Sequence, residues 1–196
     1  MEQHKPCNTV DPSQCDMNVV NEIYVILDGS DTILDSRLRV DYWQRMIDIS
    51  KELIMRMRTA NTLAHFVVPK TSKRQRKDPI PYEVIISGTL CADVVKMHNK
   101  LERAKNYRHV PGGLQDLQPT VDFIADTLDA KTGFIITMSG PYVPSLVDTK
   151  ASVLVYYDSH YIRPDEIKNI YVDELFTDEV KLIDKVISLV YFAPGR

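Results

Sequence analysis

The chain has 196 residues, 44% hydrophobic and 26% charged, with a formal charge of −3. These proportions are those of one globular domain, and they exclude a largely disordered chain, a collagen-like fibre and a coiled-coil rod. No apolar run approaches the ~18 residues of a spanning helix, and the opening MEQHKPCNTV has no apolar core and does not read as a signal peptide.

Residues 1–20 are polar, contain Pro6 and Pro12, and read as a flexible tail ahead of a single domain over 21–196. Glu22 to Leu27 (EIYVIL) is β-rich and ends at the turn pair Asp28-Gly29. From Asp41 to Thr59, Trp43, Met46, Ile47, Ser50, Leu53, Ile54 and Met57 recur at helical spacing, with Glu52 and Arg56 as an i,i+4 pair off that stripe. Leu63 to Val68 and Tyr82 to Ser87 read as strands. The prolines and charges of Pro69 to Pro81 rule out a central strand between them. Thr89 is placed to cap a helix from Leu90 to about Asn106, with Leu90, Val94, Met97 and Leu101 facing inward. Pro111-Gly112-Gly113 marks a loop. A third helix follows from about Pro119 to Ala130, with Leu117, Val121, Ile124, Ala125 and Leu128 on its apolar face. Phe134 to Met138 and Ala151 to Tyr157 are strands. Pro164-Asp165-Glu166 opens a helical turn, Thr177 caps a last helix over 178–186, and Ile187 to Phe192 is a final strand. The order is not a regular βαβ alternation, and the 63–87 pair reads as a hairpin. The expectation is therefore an α+β fold: a mostly antiparallel sheet packed by three to four helices.

The order helix, strand, loop, strand, helix, then the strand Ala151 to Tyr157, resembles the HORMA arrangement. That resemblance covers roughly the last two-thirds of the chain. It implies a peptide-binding adaptor in which Ser159 to Phe192 closes over a partner peptide.

Motifs of catalysis and metal binding are missing. The glycines form neither GxGxxG nor GxxxxGK, and neither HExxH nor paired CxxC occurs. Histidines stand apart at 4, 65, 98, 109 and 160. Asp158-Ser159-His160 has the residue types of a triad but reads as a polar turn, and His65 reads as a core or edge residue of its strand. The expectation is no catalytic residue, no metal and no cofactor, with an enzyme built from dispersed groups as an alternative. Cys7, Cys15 and Cys91 are an odd count, which argues against a disulfide framework and for a reducing compartment. Cys91 reads as a small core residue.

The informative segment is Lys70 to Lys77, which carries Lys70, Lys73, Arg74, Arg76 and Lys77 with no acid until Asp78. It reads as a solvated hairpin loop, as a nuclear signal in the pentamer Lys73 to Lys77, or as a phosphate contact. A helix from Leu90 that packs back along the strand Tyr82 to Ser87 returns its end to this loop. That end brings Lys96, Lys100 and Arg103 at i, i+4, i+7, then Lys105 and Arg108. Ten basic residues would then gather at one edge. From Arg39 to Arg108 there are fifteen Lys/Arg against seven Asp/Glu, a net +8, and the remaining residues carry −11. The small total charge is thus a cancellation. Asp122, Asp126 and Asp129 form an acidic stripe on the third helix, a candidate self-association surface for another copy's basic edge.

These features point to a non-enzymatic interaction or assembly protein whose basic edge engages nucleic acid, a nucleoprotein or an anionic membrane surface, in the manner of a viral matrix or nucleoprotein-associated protein. The compartment expected is intracellular: cytoplasm, with nuclear entry if the pentamer is read as a signal.

Overall fold

The computed structural model describes residues 21–29, 42–57, 62–105, 117–128, 133–139, 151–156, 171–173 and 184. The elements run β1 (Asn21–Leu27), α1 (Tyr42–Arg56), β2 (Thr62–Pro69), α2 (Ser72–Gln75), β3 (Tyr82–Thr89), α3 (Leu90–Ala104), α4 (Gln118–Thr127), β4 (Gly133–Ser139), β5 (Ala151–Tyr156) and β6 (Tyr171–Asp173). They build one mixed sheet in the order β3-β2-β1-β4-β5-β6. The α+β class holds, but the sheet is mixed and not mostly antiparallel. β1 pairs parallel with β2 and β4, β4 with β5, and β5 with β6. The hairpin foreseen between residues 63 and 87 is real, and β2–β3 is the antiparallel pair among those described.

The reason lies in how the central strands are covered. Val25, Ile26 and Leu27 are all buried, as are Phe66, Val67 and Val68. A strand buried on both faces reads as a continuous apolar run rather than an alternation, which is the habit of parallel strands with helices on either side. Two cores result. On one face Ile23, Val25, Leu27, Phe66 and Ile136 meet Trp43, Met46, Ile47 and Leu53 of α1, and Val94, Met97 and Leu101 of α3. On the other, Ile26, Val67 and Ile135 meet Leu117, Val121, Ile124 and Leu128 around α4. The helix between two parallel strands is a crossover, and α1 serves as one between β1 and β2.

Trp43, in the first turn of α1, donates from Nε1 to the Ala104 carbonyl at 2.8 Å, tying α1 to the last turn of α3. β3 passes into α3 without a loop. There Asp93 Oδ2 accepts the Thr89 amide at 3.1 Å, while the Thr89 hydroxyl expected as the cap makes no capping bond. Gly88 is needed at this junction, since a Cβ there would stand 2.8 Å from Asp93 Oδ2. Cys91 is buried, as expected, but it is disulfide-bonded, and its partner lies outside the described residues. Disulfides persist in oxidising environments, so the cysteines no longer argue for a reducing compartment. No described helix is long and apolar enough to cross a membrane. The tail at 1–20, the turn at 164–166, the helix over 178–186 apart from Asp184, and the strand 187–192 lie outside the described residues.

Candidate functional sites

β1 and β2 are parallel, so their carboxyl ends share one end of the sheet. The basic segment leaves β2 at that end and returns into β3. The Trp43–Ala104 bond places the last turn of α3 beside the start of α1, at the same end. Loop and helix end therefore do return to one side of the domain, by the antiparallel packing of α3 on β3. The segment 70–81 is not an open loop: it carries the short helix α2 and the turn after it.

The cations there are of two kinds. Lys70 is nearly buried, bonded to Asp78 and to the Ile80 carbonyl at 2.9 Å, and this lysine holds the Asp78 carboxyl below its ordinary range. Arg74 reaches Glu83 at 2.9 Å. Lys105 bridges Asp48 at 2.7 Å and Glu102 at 3.5 Å, and the Asp48 bond holds its ammonium above the usual lysine range. Glu102 is in turn bonded to Lys51, which keeps its carboxyl low. Lys96 lies 4.0 Å from Asp93. Arg76, Lys77, Lys100 and Arg103 are exposed and make no ion pair among the described residues. Lys73 sits in α2, and nothing is described of its side chain; Arg108 lies outside the described residues. Of the eight expected basic residues whose side chains are described, four are thus left without an ion pair among the described residues. Lys70, Arg74 and Lys96 pair with acids close by in sequence, whereas Lys105 meets Asp48 because α1 packs against α3, a contact between residues some fifty apart.

On the opposite face, Asp126 is exposed on α4, and Asp122 accepts from Gln118 Nε2 at 2.7 Å. Asp129 lies outside the described residues, as do Asp158-Ser159-His160 and most of Ser159 to Phe192.

Two arrangements were missed by sequence reasoning. The first is at the carboxyl end of β1. The strand order reverses between β1 and β4, and open parallel sheets bind ligands in the crevice at such a point. Asp28 follows β1 there and is 1% exposed. On β4, Thr137 pairs with Ile26, and its buried Oγ1 has no hydrogen-bond partner. A signal was available: an acid directly after a continuous apolar strand. Among the described residues no group of three or more His, Cys, Asp or Glu gathers for a metal.

The second crosses three strands. His65 Nε2 lies 3.0 Å from Glu22 Oε1 on β1, and His65 Nδ1 lies 2.8 Å from Ser87 Oγ on β3. The Tyr24 ring stacks on the imidazole at 4.3 Å, and Tyr24 and Tyr82 meet edge to face. Burial lowers the His65 pKa and Glu22 opposes that shift; burial and Tyr82 raise that of Tyr24. The three partners are 43 and 22 residues apart, beyond the reach of any local motif.

No family model matches the chain, and no curated protein does. Solved structures do resemble it. Proximal thread matrix protein 1 from the mussel byssus superposes with a TM-score of 0.58 at 13% identity, over 89% of this chain and 49% of that one. The chain thus spans about half the length of that protein. A further structure of it, described as having a zinc-occupied MIDAS motif, gives 0.52 at 14% identity, over 89% and 48%. An aerotolerance-related membrane protein from Bacteroides fragilis gives 0.56 at 10% identity, over 87% of this chain and 98% of that one. At these identities the likeness is one of fold.

Proposed function

We propose that this chain is an interaction and assembly module that holds an anionic polymer or surface through Arg76, Lys77, Lys100 and Arg103. The observation that carries this reading is the sorting of the cations. Nearby lysines are spent on Asp48, Asp78 and Glu102, while these four remain exposed without an ion pair among the described residues. Unpaired exposed cations attract phosphate, sulfate and lipid headgroups alike, and the attraction weakens with salt. The partner is nucleic acid, nucleoprotein or an anionic membrane. The acidic face at Asp122 and Asp126 is a candidate contact for a second copy. A role in a matrix is supported by the fold shared with the thread matrix protein. Binding to RNA, DNA and vesicles rich in phosphatidylserine, measured across a salt series, tests the proposal; no binding to any of them in low salt overturns it.

A second reading rests on Asp28. The run Asp28-Gly29-Ser30-Asp31-Thr32 holds four oxygen-bearing side chains in five residues. Asp28 is buried at the strand-order reversal, and a partnerless Thr137 hydroxyl lies on the next strand. Oxygen donors suit a hard divalent cation, and one neighbour of this fold is described with zinc in its MIDAS motif. The reading is a cation-dependent partner contact at the carboxyl end of the sheet. Titration calorimetry with Mg²⁺ and Zn²⁺ tests it: equal heats for the wild type and Asp28→Asn would remove it.

A further inference from the structure

The array Glu22–His65–Ser87 plays no part in that reading. It lies toward the amino ends of β1 and β2, away from the basic segment. Its protons can be assigned from chemistry. A carboxylate only accepts, so the His65 nitrogen facing Glu22, Nε2, carries the hydrogen. In neutral imidazole the other nitrogen is then a free lone pair, and Nδ1 accepts from the Ser87 hydroxyl. If the hydroxyl proton moves to Nδ1, no bond is lost: Nε2–H still faces Glu22, now charge against charge. This is the wiring of a general base held by an orienting acid, with the nucleophile within hydrogen-bond reach.

We propose that Ser87 is a nucleophile activated by His65 and oriented through Glu22, able to take an acyl group from an activated ester. Ser87 Oγ bonds to the ester carbonyl carbon as its proton passes to His65 Nδ1. The adduct then collapses: the carbon–oxygen bond to the alcohol breaks, the departing alkoxide takes the proton from His65, and the acyl group stays on Ser87. Water repeats the sequence, with His65 removing its proton, to release a carboxylic acid and restore Ser87. The site is open enough for this. Ser87 is partly exposed, and the Glu22 side chain is 35% exposed against 16% for His65. β3 ends the sheet as described, and alternate N–H groups of a terminal strand point away from its neighbour. Burial lowers the His65 pKa, which keeps the imidazole in its basic form at neutral pH.

The test uses the full chain, a fluorophosphonate probe and p-nitrophenyl acetate. The adduct is expected on Ser87 by peptide mass spectrometry, and Ser87→Ala should abolish it. Glu22→Gln and His65→Gln should slow labelling, the latter by about 10²-fold as expected for loss of a general base. Absence of an adduct on Ser87, or labelling as fast in His65→Gln as in the wild type, overturns the proposal. If His65→Gln unfolds, the pH profile of the wild type decides. A labelling rate that climbs as a group below the usual histidine range loses its proton supports the relay, and a flat rate from pH 5 to 8 overturns it.

Discussion

Replacing Arg76, Lys77, Lys100 and Arg103 together with alanine tests whether the sorting of cations by the fold has consequences. For duplex DNA used as a polyanion probe, each neutralised phosphate contributes about −0.9 to the slope of log K against log salt, so four contacts give about −3.6. Between 50 and 200 mM salt that slope corresponds to a loss of roughly 150-fold in affinity. The quadruple variant should lose that dependence and bind weakly at all salt concentrations. The comparison that makes the test structural is a second variant, Lys70→Ala with Lys105→Ala. These lysines are engaged with Asp78 and with Asp48 and Glu102, so their removal also frees acids that repel the polyanion. It should weaken binding modestly and leave the slope nearly unchanged. Fluorescence anisotropy with a short labelled duplex measures both. A slope unaltered in the quadruple variant, or reduced equally in the lysine pair, refutes the reasoning.

Leu53→Ala should destabilise the chain by about 2–5 kcal/mol in denaturant unfolding, because Leu53 is 1% exposed in the core between α1 and the sheet. Trp43→Phe removes the donor to the Ala104 carbonyl and should cost about 1–3 kcal/mol, read in the same experiment. Gly88→Ala should cost about 1–3 kcal/mol, since the new Cβ would displace the Asp93 carboxyl that accepts the Thr89 amide; a melting temperature equal to the wild type would contradict this. Stability should fall as pH drops below the ordinary histidine range. A base whose folded pKa is lowered contributes stability present above its unfolded pKa near 6.5, and that stability is lost as pH falls toward the folded value. Asp78 and Glu102 are shifted below the carboxylate range, so their contributions are lost only at lower pH, and the window from 6.5 to 5 isolates the histidines. His98 is shifted the same way, mainly by burial. Melting temperatures should therefore decline across that window, less steeply in His65→Gln.

What the sequence determines by itself is local. The stripe from Trp43 to Met57 and that from Leu90 to Leu101 mark the helices and their buried sides, because side chains three and four apart share a helix face whatever the helix packs against. Strand positions and the hairpin between Leu63 and Ser87 follow from similarly short-range signals. Strand direction does not. Whether β1 lies parallel to β2 depends on α1 crossing over the sheet, and the sign of that was carried only by the unbroken apolar runs Val25 to Leu27 and Phe66 to Val68. The charge reading divides in the same way. The net +8 from Arg39 to Arg108 is a property of composition. Part of the sorting of cations is equally local, as in Lys70 with Asp78 and Lys96 with Asp93, but the pairing of Lys105 with Asp48 was decided by α1 docking on α3. The contact of His65 with Glu22 and Ser87 required three strands side by side in one register, and pairing across 43 and 22 residues leaves no trace in local spacing. Tertiary structure decides such features because a hydrogen bond or an ion pair is set by distance in space, and only the packed sheet brings those atoms within reach.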